Sequence, residues 1–585
     1  MSATDNDEAV KAASKVELVE IDDGYTLRNT PDEPVTHQHD LKQIPRGQVS
    51  QELLSNSGDN PRSWLMYGGG YAQRRTTTAD VITPENVSDL SIEYLIETGV
   101  SSSMEGTPIV VPSDPPVMYQ TSGPNLMKAV NARTGEVLWS YVYDNPDDIQ
   151  GNEPADSRLL LCCDANNRGA AVYQDKVFMT TLDSGVVALN RYTGEQVWYA
   201  STDDYRKGYS ATWAPIVYDG KVLTGSAGGE YGVRGFVAAL DPDNGDIVWR
   251  TYTTDPERWV GDSWKQGCAT TWMTPTVDTK TDTMYAPMGN PGPDFDGTVR
   301  PGPNPYSIGT LALDVQNGDV KWDFQESAHD TWDYDSTSPK ILLRDQEIRG
   351  ETRDVVVSSG KTGWVYTMDA QTGKLLRRSQ AAVQHLNTFE MVPHVDSGQS
   401  ISYVPGAHGG NDWQPASYSP ATGLIYAKEN NTPHELHWEY NEYQPGKVYW
   451  GGTLSDWPHV DEPDGWNGHT SAVVAIDPIS GERVWREWID DPNYLWGGSM
   501  TTATGITFLG TQKGKFIAYD GQTGDHLWES PHLGAPISSS PMSWYDPGTR
   551  KQYVAVQVGG SGWLRHGPRG STVAVFSLKE GGSGR

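Results

Sequence analysis

The sequence predicts an all-β protein of the propeller type, in which several four-stranded sheets surround a common axis. Three observations lead to this prediction. Pairs of short strands joined by a Gly-containing turn recur at intervals of roughly 40–60 residues. The chain holds 62 Gly and 22 Trp, which suits tight turns with flat rings packed between strands. Its 585 residues exceed the usual size of one domain, unless the architecture grows by repetition.

The repeat consists of an apolar strand, an Asp or Asn turn with Gly, and a second strand that usually ends in Trp. Its seven visible copies close at Trp139, Trp198, Trp249, Trp322, Leu376, Trp485 and Trp528. The steps between them are 59, 51, 73, 54, 109 and 43 residues, so one step is about twice its neighbour. We therefore predict a hidden eighth copy in that gap, with the turn at residues 418–426 as its candidate. Eight copies predict an eight-bladed β-propeller with Trp-docking-type repeats.

The domain organisation follows from where the repeats begin and end. We predict a polar N-terminal extension at 1–51, with disorder as one option, a single eight-bladed catalytic domain at 52–578 and a flexible tail at 579–585. Two separate β-sandwich domains are the alternative. No Pro/Ser-rich linker divides the chain, which favours the single propeller.

The net charge of −32, from 76 acidic and 44 basic residues, excludes several classes of partner. Nucleic acid and anionic membranes would both be repelled. The acids are spread along the chain, which favours the solvated surface of a halophilic protein over an acidic patch that steers a basic partner. No apolar run reaches the roughly 18 residues that a membrane span needs.

Cys162 and Cys163 are adjacent, which is the most unusual feature of the sequence. Neighbouring Cα atoms lie about 3.8 Å apart, whereas a disulfide favours roughly 4.4–6.8 Å. A bond between these sulfurs would therefore close a strained ring, and such strain accompanies ligand sites. Two reduced cysteines that share a turn are the alternative. Cys268, the third cysteine, is expected to be a buried small hydrophobic residue.

Three motifs together resemble one known family. The Trp repeats, Cys-Cys-Asp-x-x-x-Arg-Gly at 162–169 and Glu-Tyr-Gly-Val-Arg-Gly at 230–235 resemble the quinoprotein alcohol and methanol dehydrogenases. The likeness extends from about residue 64 to residue 557 and so covers nearly the whole chain. The resemblance implies an eight-bladed propeller that carries pyrroloquinoline quinone (PQQ) and a metal ion, and that oxidises an alcohol to an aldehyde.

The resemblance implies a metal site of oxygen ligands, which hard cations prefer. The matching residues are Glu230, Asn290 and Asp333. In the lanthanide-dependent members a further Asp follows two residues after the catalytic one, and Asp335 stands at that position here. A trivalent ion favours one more carboxylate, so we predict a lanthanide ion, with Ca²⁺ as the alternative. One more acid in an acidic chain is the other reading of Asp335.

The resemblance also implies which residues surround the flat, anionic quinone. A vicinal disulfide of Cys162 and Cys163 would cover one face, and Trp272 would stack on the other. Arg168 would pair with a quinone carboxylate, and Lys361 would contact the reactive quinone oxygens. The remaining positions that match cofactor contacts are Glu105, Thr212, Gly228, Gly229, Thr270, Asp412 and Trp496.

Two positions depart from the family pattern. Ala227 stands where the family often has Ser, so a hydroxyl contact is missing there. Asp412 stands where many members have Asn, which leaves its contact less secure. The catalytic roles that the resemblance implies fall on Asp333, as the base that takes the hydroxyl proton, and on Lys361, which stabilises charge on the quinone oxygens.

The sequence also restricts the partners. No Cys-x-x-Cys-His occurs, so the electron acceptor must be a separate protein such as a cytochrome c or a blue-copper protein. A strained disulfide persists best in an oxidising compartment, so we expect an exported protein, periplasmic or at the cell surface, whose leader is absent from this chain. A homodimer is one option for the assembly. A short primary alcohol is the preferred substrate because residues 430–468 resemble a pocket-lining insertion. A sugar dehydrogenase and a non-catalytic propeller scaffold are the alternatives.

Overall fold

A computed structural model describes residues 44–45, 47–99, 103–123, 125–144, 146, 166–388, 399–489, 491, 496–560 and 570–579. Cys162 and Cys163 lie outside the described residues, as do most of the predicted N-terminal extension and most of the predicted tail. The described part of the chain consists of strands with little helix, which confirms the all-β prediction. Within it, no helix has the length and apolar character that crossing a membrane requires.

The strands are numbered in chain order. The first eighteen are β1 Thr76–Thr77, β2 Leu90–Glu97, β3 Ile109–Val111, β4 Val117–Ser122, β5 Leu126–Asn131, β6 Val137–Val142, β7 Ala171–Tyr173, β8 Lys176–Thr181, β9 Gly185–Asn190, β10 Gln196–Ser201, β11 Ile216–Tyr218, β12 Lys221–Gly225, β13 Phe236–Leu240, β14 Ile247–Tyr252, β15 Thr276–Asp278, β16 Thr283–Met288, β17 Gly309–Asp314 and β18 Val320–Gln325.

The remaining strands are β19 Ile341–Ile348, β20 Glu351–Ser359, β21 Val365–Asp369, β22 Leu375–Arg378, β23 Ser400–Tyr403, β24 Ser417–Ser419, β25 Leu424–Asn430, β26 His434–Trp438, β27 Gly452–Asp456, β28 Ser471–Ile476, β29 Arg483–Trp488, β30 Ser499–Thr502, β31 Ile506–Gly510, β32 Phe516–Asp520, β33 His526–Glu529, β34 Met542–Asp546, β35 Lys551–Val558 and β36 Thr572–Leu578. The α-helix α1 spans Gln51–Ser55, and short 3₁₀ helices span Ser57–Asp59, Val87–Asp89, Tyr205–Lys207, Gly229–Tyr231, Ser263–Gln266 and Gly297–Val299.

In the part of the chain that the structure describes, eight sheets have four strands or more. Five of them use four strands that follow one another in sequence, from β3–β6 to β19–β22. The other three are β24-β25-β28-β29, β30–β33 with β1 added in parallel, and β2-β36-β35-β34. This number agrees with the eight predicted blades. The blade count itself, and the boundaries of the single propeller domain, stay predictions.

The position predicted for the hidden eighth copy is wrong. The turn at 418–426 joins β24 to β25, and these strands belong to the same sheet as the visible copy that closes at Trp485. The long step arises instead from the residues inserted before β24 and between β25 and β28. The sheet without a visible copy combines both ends of the described chain, because β2 pairs with β36 over residues 90–97 and 572–578.

The Trp and Gly residues of the repeat form contacts between neighbouring sheets. The Trp139 indole N–H donates to the carbonyl of Arg191, 3.1 Å away, and its ring packs against Gly194 in the turn of the next copy. The same pair of contacts recurs from Trp198 to Pro242 and Gly245, from Trp249 to Val315 and Gly318, from Trp322 to Ala370 and Gly373, and from Trp485 to Gly521 and Gly524. A Cβ at any of these glycines would lie within 3.0 Å of the indole ring. The repeat is therefore both a turn signal and a docking element.

The insertion between β25 and β28 forms most of a three-stranded sheet, β23-β26-β27. A small apolar cluster supports it, in which the Trp332 ring lies 4.8 Å from that of Tyr403 and 6.2 Å from that of Trp438. Because Trp332 immediately precedes Asp333, this sheet packs directly against the loop that carries the predicted base.

Candidate active site

The antiparallel order determines which loops meet at the candidate site. In a sheet of four consecutive strands, the loop before the first strand and the loop between the second and third lie at the same end. The predicted site residues occupy loops of these two kinds. Arg168 precedes β7 and Asp333 precedes β19, whereas Glu230 joins β12 to β13, Asn290 joins β16 to β17 and Lys361 joins β20 to β21.

These loops enclose a cavity of about 190 Å³. Every predicted site residue that the structure describes lines it: Glu105, Arg168, Thr212, Gly228, Gly229, Glu230, Thr270, Trp272, Asn290, Asp333, Asp335, Lys361, Asp412 and Trp496. The predicted Cys162 and Cys163 fall outside the described residues. The cavity thus brings together residues that are separated by hundreds of positions in sequence.

Lys361 lies at the centre of the acidic part of the cavity. Its ammonium nitrogen is 3.0 Å from Oδ2 of Asp333, 2.8 Å from Oδ2 of Asp335 and 3.7 Å from Oδ1 of Asp412. Burial opposes its charge, but the three carboxylates together raise the pKa of Lys361 well above its usual range. The lysine is therefore a fixed cation under physiological conditions.

Hydrogen bonds from two backbone N–H groups hold the acidic loops in place. The Lys361 N–H donates to the carbonyl of Asp335 at 2.9 Å, and the Asn290 N–H donates to Oδ1 of Asp335 at 2.7 Å. Asp333 has a φ of 61°, in the left-handed region that few non-Gly residues occupy. Such a conformation persists only where its surroundings enforce it, and it is frequent at functional sites.

Glu230 and Asp294 provide a test of whether a cation fits here. Oε2 of Glu230 and Oδ1 of Asp294 are buried, and neither has a hydrogen-bond partner among the described residues. Burial raises the pKa of Glu230 to about 7 and that of Asp294 well above its usual range, and each carboxyl is further affected by acidic neighbours. Buried carboxylates without partners are costly unless a cation neutralises them. The set of carboxylate and amide oxygens therefore fits a hard metal ion.

Arg168 provides the corresponding test for an anionic, flat cofactor. Its guanidinium carbon lies 5.1 Å from the ring centroid of Trp272 and 5.0 Å from that of Trp413. Nη2 is 2.8 Å from Oε2 of Glu105, while Nε and Nη1 have no hydrogen-bond partner in the described part of the chain. The side chain is 2% exposed. Donors left over on a buried Arg, beside two indole faces, fit an aromatic ligand that carries carboxylates.

The sequence reasoning missed several residues that line the cavity. They are Asn166, Asp294, Phe295, His408, Trp413, Trp450, Leu454 and Asp456, with Ala227 noted only as a departure. Trp450, Leu454 and Asp456 belong to the inserted segment at 430–468, so the expectation that this segment lines the pocket is confirmed. Asp294 lies four positions after Asn290, but no motif distinguished it from the other acids of an acidic chain.

His408, His434 and Asp456 form a second polar group beside the cavity, with ligand atoms within 4.8 Å of one another. The Ala407 N–H donates to Nδ1 of His434 at 3.1 Å, so the proton of the neutral ring is on Nε2, which lies 3.8 Å from Asp456. A metal bound to Nε2 would require that proton to move to Nδ1. Nδ1 would then be a donor that faces the Ala407 N–H, which is a donor too. The arrangement therefore favours polar contacts over a second metal centre.

Comparisons with known proteins identify the family of the chain. Residues 64–383, more than half of the chain, match the family described as glucose/ethanol/alcohol dehydrogenase, beta-propeller domain. Residues 469–558 match a second description, outer membrane protein assembly factor BamB, over a short stretch of strands. The chain is 31% identical over 557 residues to the quinoprotein alcohol dehydrogenase PedH of Pseudomonas putida, with 88% of each chain covered.

Two further similarities concern metal-dependent relatives. The chain is 31% identical over 543 residues to the lanthanide-dependent methanol dehydrogenase of Methylacidiphilum fumariolicum, with 86% of each chain covered. The structure of a europium-containing methanol dehydrogenase superposes with a TM-score of 0.81 at 29% identity, covering 90% of this chain and 100% of that one. The protein is thus a PQQ-type β-propeller oxidoreductase. It belongs to the PQQ-dependent (quinoprotein) alcohol dehydrogenase family.

Proposed function

We propose that this protein oxidises a short primary alcohol to the aldehyde with PQQ and a lanthanide ion, and passes the electrons to a separate redox protein. The observation that carries the proposal is the convergence of fourteen predicted residues on one cavity, with Lys361 between three carboxylates. Ca²⁺ is the alternative ion. Lanthanide is favoured because Asp335 adds a buried carboxylate, and the Coulomb attraction of each carboxylate grows with the charge of the cation.

The residues divide into two binding groups. Glu230, Asn290, Asp333 and Asp335 would hold the cation through oxygen atoms. The quinone would be bound by Arg168 and the other cofactor positions, with Trp272 on one face and a Cys162–Cys163 disulfide proposed on the other. When bound, PQQ accepts two electrons and a hydrogen from the alcohol carbon, and the cation polarises its carbonyl.

Asp333 is proposed as the base that takes the hydroxyl proton of the alcohol. A base must be ionised before it acts, and burial raises the pKa of Asp333 well above its usual range. The Lys361 ammonium, 3.0 Å away, opposes this effect and favours the carboxylate. Lys361 would therefore serve twice, by keeping Asp333 ionised and by offering positive charge where the substrate oxidation adds negative charge.

Apolar side chains of the cavity support a small substrate. Phe295, Trp450 and Leu454 belong to one apolar cluster that lines the cavity, and they would exclude water from the reacting atoms. A narrow cavity lined in this way suits a short alcohol better than a sugar, whose many hydroxyl groups would each require a hydrogen-bond partner.

The acceptor and the location follow from the absence of a haem-attachment motif in the sequence and from the adjacent cysteines. We propose a cytochrome c, with a blue-copper protein as the alternative, and an exported protein in the periplasm or at the cell surface. A homodimer remains one option for the assembly.

The proposal is tested with full-length protein reconstituted with PQQ and either La³⁺ or Ca²⁺. We expect bound metal to be stoichiometric, activity to be higher with La³⁺, and methanol or ethanol to be preferred over longer alcohols and glucose. Equal activity with both ions would contradict the choice of metal. A preference for glucose would contradict the choice of substrate and indicate a sugar dehydrogenase. A protein that binds PQQ and metal but shows no turnover would indicate a non-catalytic propeller scaffold.

A further inference from the structure

Asp294 is a carboxylate of the cavity to which neither the repeat nor the family motifs assign a role. Asp294 is 6% exposed and lines the cavity. Its Oδ1 has no hydrogen-bond partner among the residues that the structure describes. An ionised oxygen in such a position loses its hydration without compensation, unless a cation replaces the water.

The neighbours of Asp294 are the proposed metal ligands. The Glu230 carboxyl is the charged group that affects Asp294 most strongly, and the Asn290 side chain hydrogen-bonds to it. The Asn290 Oδ1 lies on the side of Gly229, 3.6 Å from where a Cβ would stand on that glycine. Glu230, Asn290 and Asp294 therefore direct oxygen atoms into one corner of the cavity.

The backbone fixes Asp294 in this orientation. The buried Arg300 donates from Nη2 to the Asp294 carbonyl at 3.1 Å and from Nε to the Pro293 carbonyl at 3.0 Å. The N–H of the next residue, Phe295, donates to the Trp450 carbonyl at 2.8 Å. Arg300 thus anchors the main chain of this loop and leaves the Asp294 side chain directed at the cavity.

Asp335 differs from Asp294 in the hydrogen bonds that its carboxylate oxygens accept. Both of its carboxylate oxygens already accept hydrogen bonds from the protein, Oδ1 from the Asn290 N–H and Oδ2 from Lys361. Each oxygen keeps a second lone pair, so Asp335 can still bind a cation. Of these two carboxylates, only that of Asp294 has an oxygen that accepts no hydrogen bond from the described residues.

We propose that Asp294 is a direct ligand of the cation, in addition to Glu230, Asn290, Asp333 and Asp335. This inference rests on the proposed function, because it assumes that the cavity holds a metal ion. With Asp294 the site has four carboxylates, which favours a trivalent ion over a divalent one, since each added negative charge attracts the higher charge more strongly.

The inference is tested by cation binding, with no need for turnover. The PQQ-loaded full chain is titrated with Tb³⁺ and with Ca²⁺, and the luminescence lifetime of Tb³⁺ in H₂O and D₂O gives the number of water molecules bound to the ion. The variant is Asp294→Asn, which preserves size and removes the charge. Asp294→Glu restores the charge, and Asp456→Asn is the matched control, because Asp456 lines the same cavity beside His434. Circular dichroism checks that each variant folds.

We expect Asp294→Asn to weaken Tb³⁺ binding at least about tenfold and Ca²⁺ binding less, and to add about one bound water. Asp294→Glu should retain most of the Tb³⁺ preference, and Asp456→Asn should match the wild type. If Asp294→Asn binds Tb³⁺ with unchanged affinity and with the same number of bound waters, this inference is overturned while the proposed function stands. The same holds if the variant loses equal affinity for Tb³⁺ and Ca²⁺ and gains no bound water. Wild-type protein that binds neither ion would overturn the proposed function as well.

Discussion

At the scale of single residues, burial and charge pairing act in opposite directions on the carboxyl groups of the cavity. Burial raises the pKa of Asp412 to about 7 and that of Asp333 well above its usual range, while Lys361 lowers both. The ionised form of Asp333 therefore depends on the neighbouring ammonium, and a bound cation would add to the same effect. The candidate base thus depends on the positive charge of Lys361, which lies 28 positions away in the sequence.

Asp333→Ser tests this role directly. We expect turnover to fall by roughly 10²–10⁴-fold, the range for loss of a general base, because the Ser hydroxyl cannot take the proton of the alcohol as a carboxylate does. PQQ and metal content are measured on the same samples, so that a loss of cofactor is separated from a loss of chemistry. A fully loaded variant that retains the wild-type rate would remove Asp333 as the base.

Glu429 shows the effect of burial away from the site. It is 0% exposed, and neither carboxylate oxygen has a hydrogen-bond partner in the described residues. Burial raises its pKa to about 8 from 4.5, with Arg486 opposing. Between about pH 4.5 and 8 the folded protein therefore keeps a proton on Glu429 that the unfolded chain releases. The protonated Glu429 contributes its full share to the free energy of unfolding below about pH 4.5, and this share is lost as the pH rises through 8.

Glu429→Gln should consequently change the pH dependence of stability. At pH 5 the variant should resemble the wild type, and by pH 8.5 it should be more stable by up to about 4 kcal/mol, since one pKa unit corresponds to about 1.4 kcal/mol. Urea denaturation at pH 5, 6.5 and 8.5 measures this difference. The exposed Glu439→Gln is the control. A constant difference between Glu429→Gln and the wild type across this pH range would contradict the argument.

At the scale of elements, the contact between Trp of one copy and Gly of the next explains why both residues recur. The turn requires a positive φ, which Gly adopts without strain, and the ring leaves no space for a Cβ. Local sequence was therefore sufficient to predict seven hairpins. It was insufficient for the eighth sheet, where Tyr94 of β2 takes the place of the Trp, contacting Gly135 and donating to the Ala132 carbonyl at 2.5 Å.

Gly194→Ala tests the docking contact, with Gly220→Ala as the matched control. Both glycines have a positive φ, 76° and 67°, so both substitutions incur backbone strain. A Cβ at Gly194 would lie 2.8 Å from the Trp139 ring, whereas a Cβ at Gly220 meets nothing within 4 Å. We expect Gly194→Ala to lower the free energy of unfolding by about 1–3 kcal/mol more than the control, as measured by chemical denaturation. Equal effects would mean that the ring adjusts freely.

At the scale of the whole molecule, stability depends on the net charge of −32 and on the strand pairing that joins distant parts of the chain. The acids repel one another in the compact state, and salt screens this repulsion over a Debye length of about 10 Å at 0.1 M. The eighth sheet joins segments near the two ends of the described chain, because β2 pairs with β36, so unfolding of either segment breaks this pairing.

Thermal stability should therefore depend on salt. We expect Tm to rise by at least about 5 °C between 0.05 and 0.5 M NaCl, the range in which screening changes most. Sucrose at equal osmolality is the control, because it does not screen charge. A flat response to NaCl, or an equal response to sucrose, would show that repulsion among the acids contributes little to stability.

The hairpins and the all-β class could be predicted from the sequence and, through the resemblance, so could fourteen of the residues that line the cavity. These features depend on turn chemistry and on motifs of neighbouring residues. The position of the eighth sheet and the placement of Asp294 beside Glu230 emerged only from the folded structure. Each of these depends on pairing between segments far apart in the chain, and no local pattern of residue types encodes such a pairing.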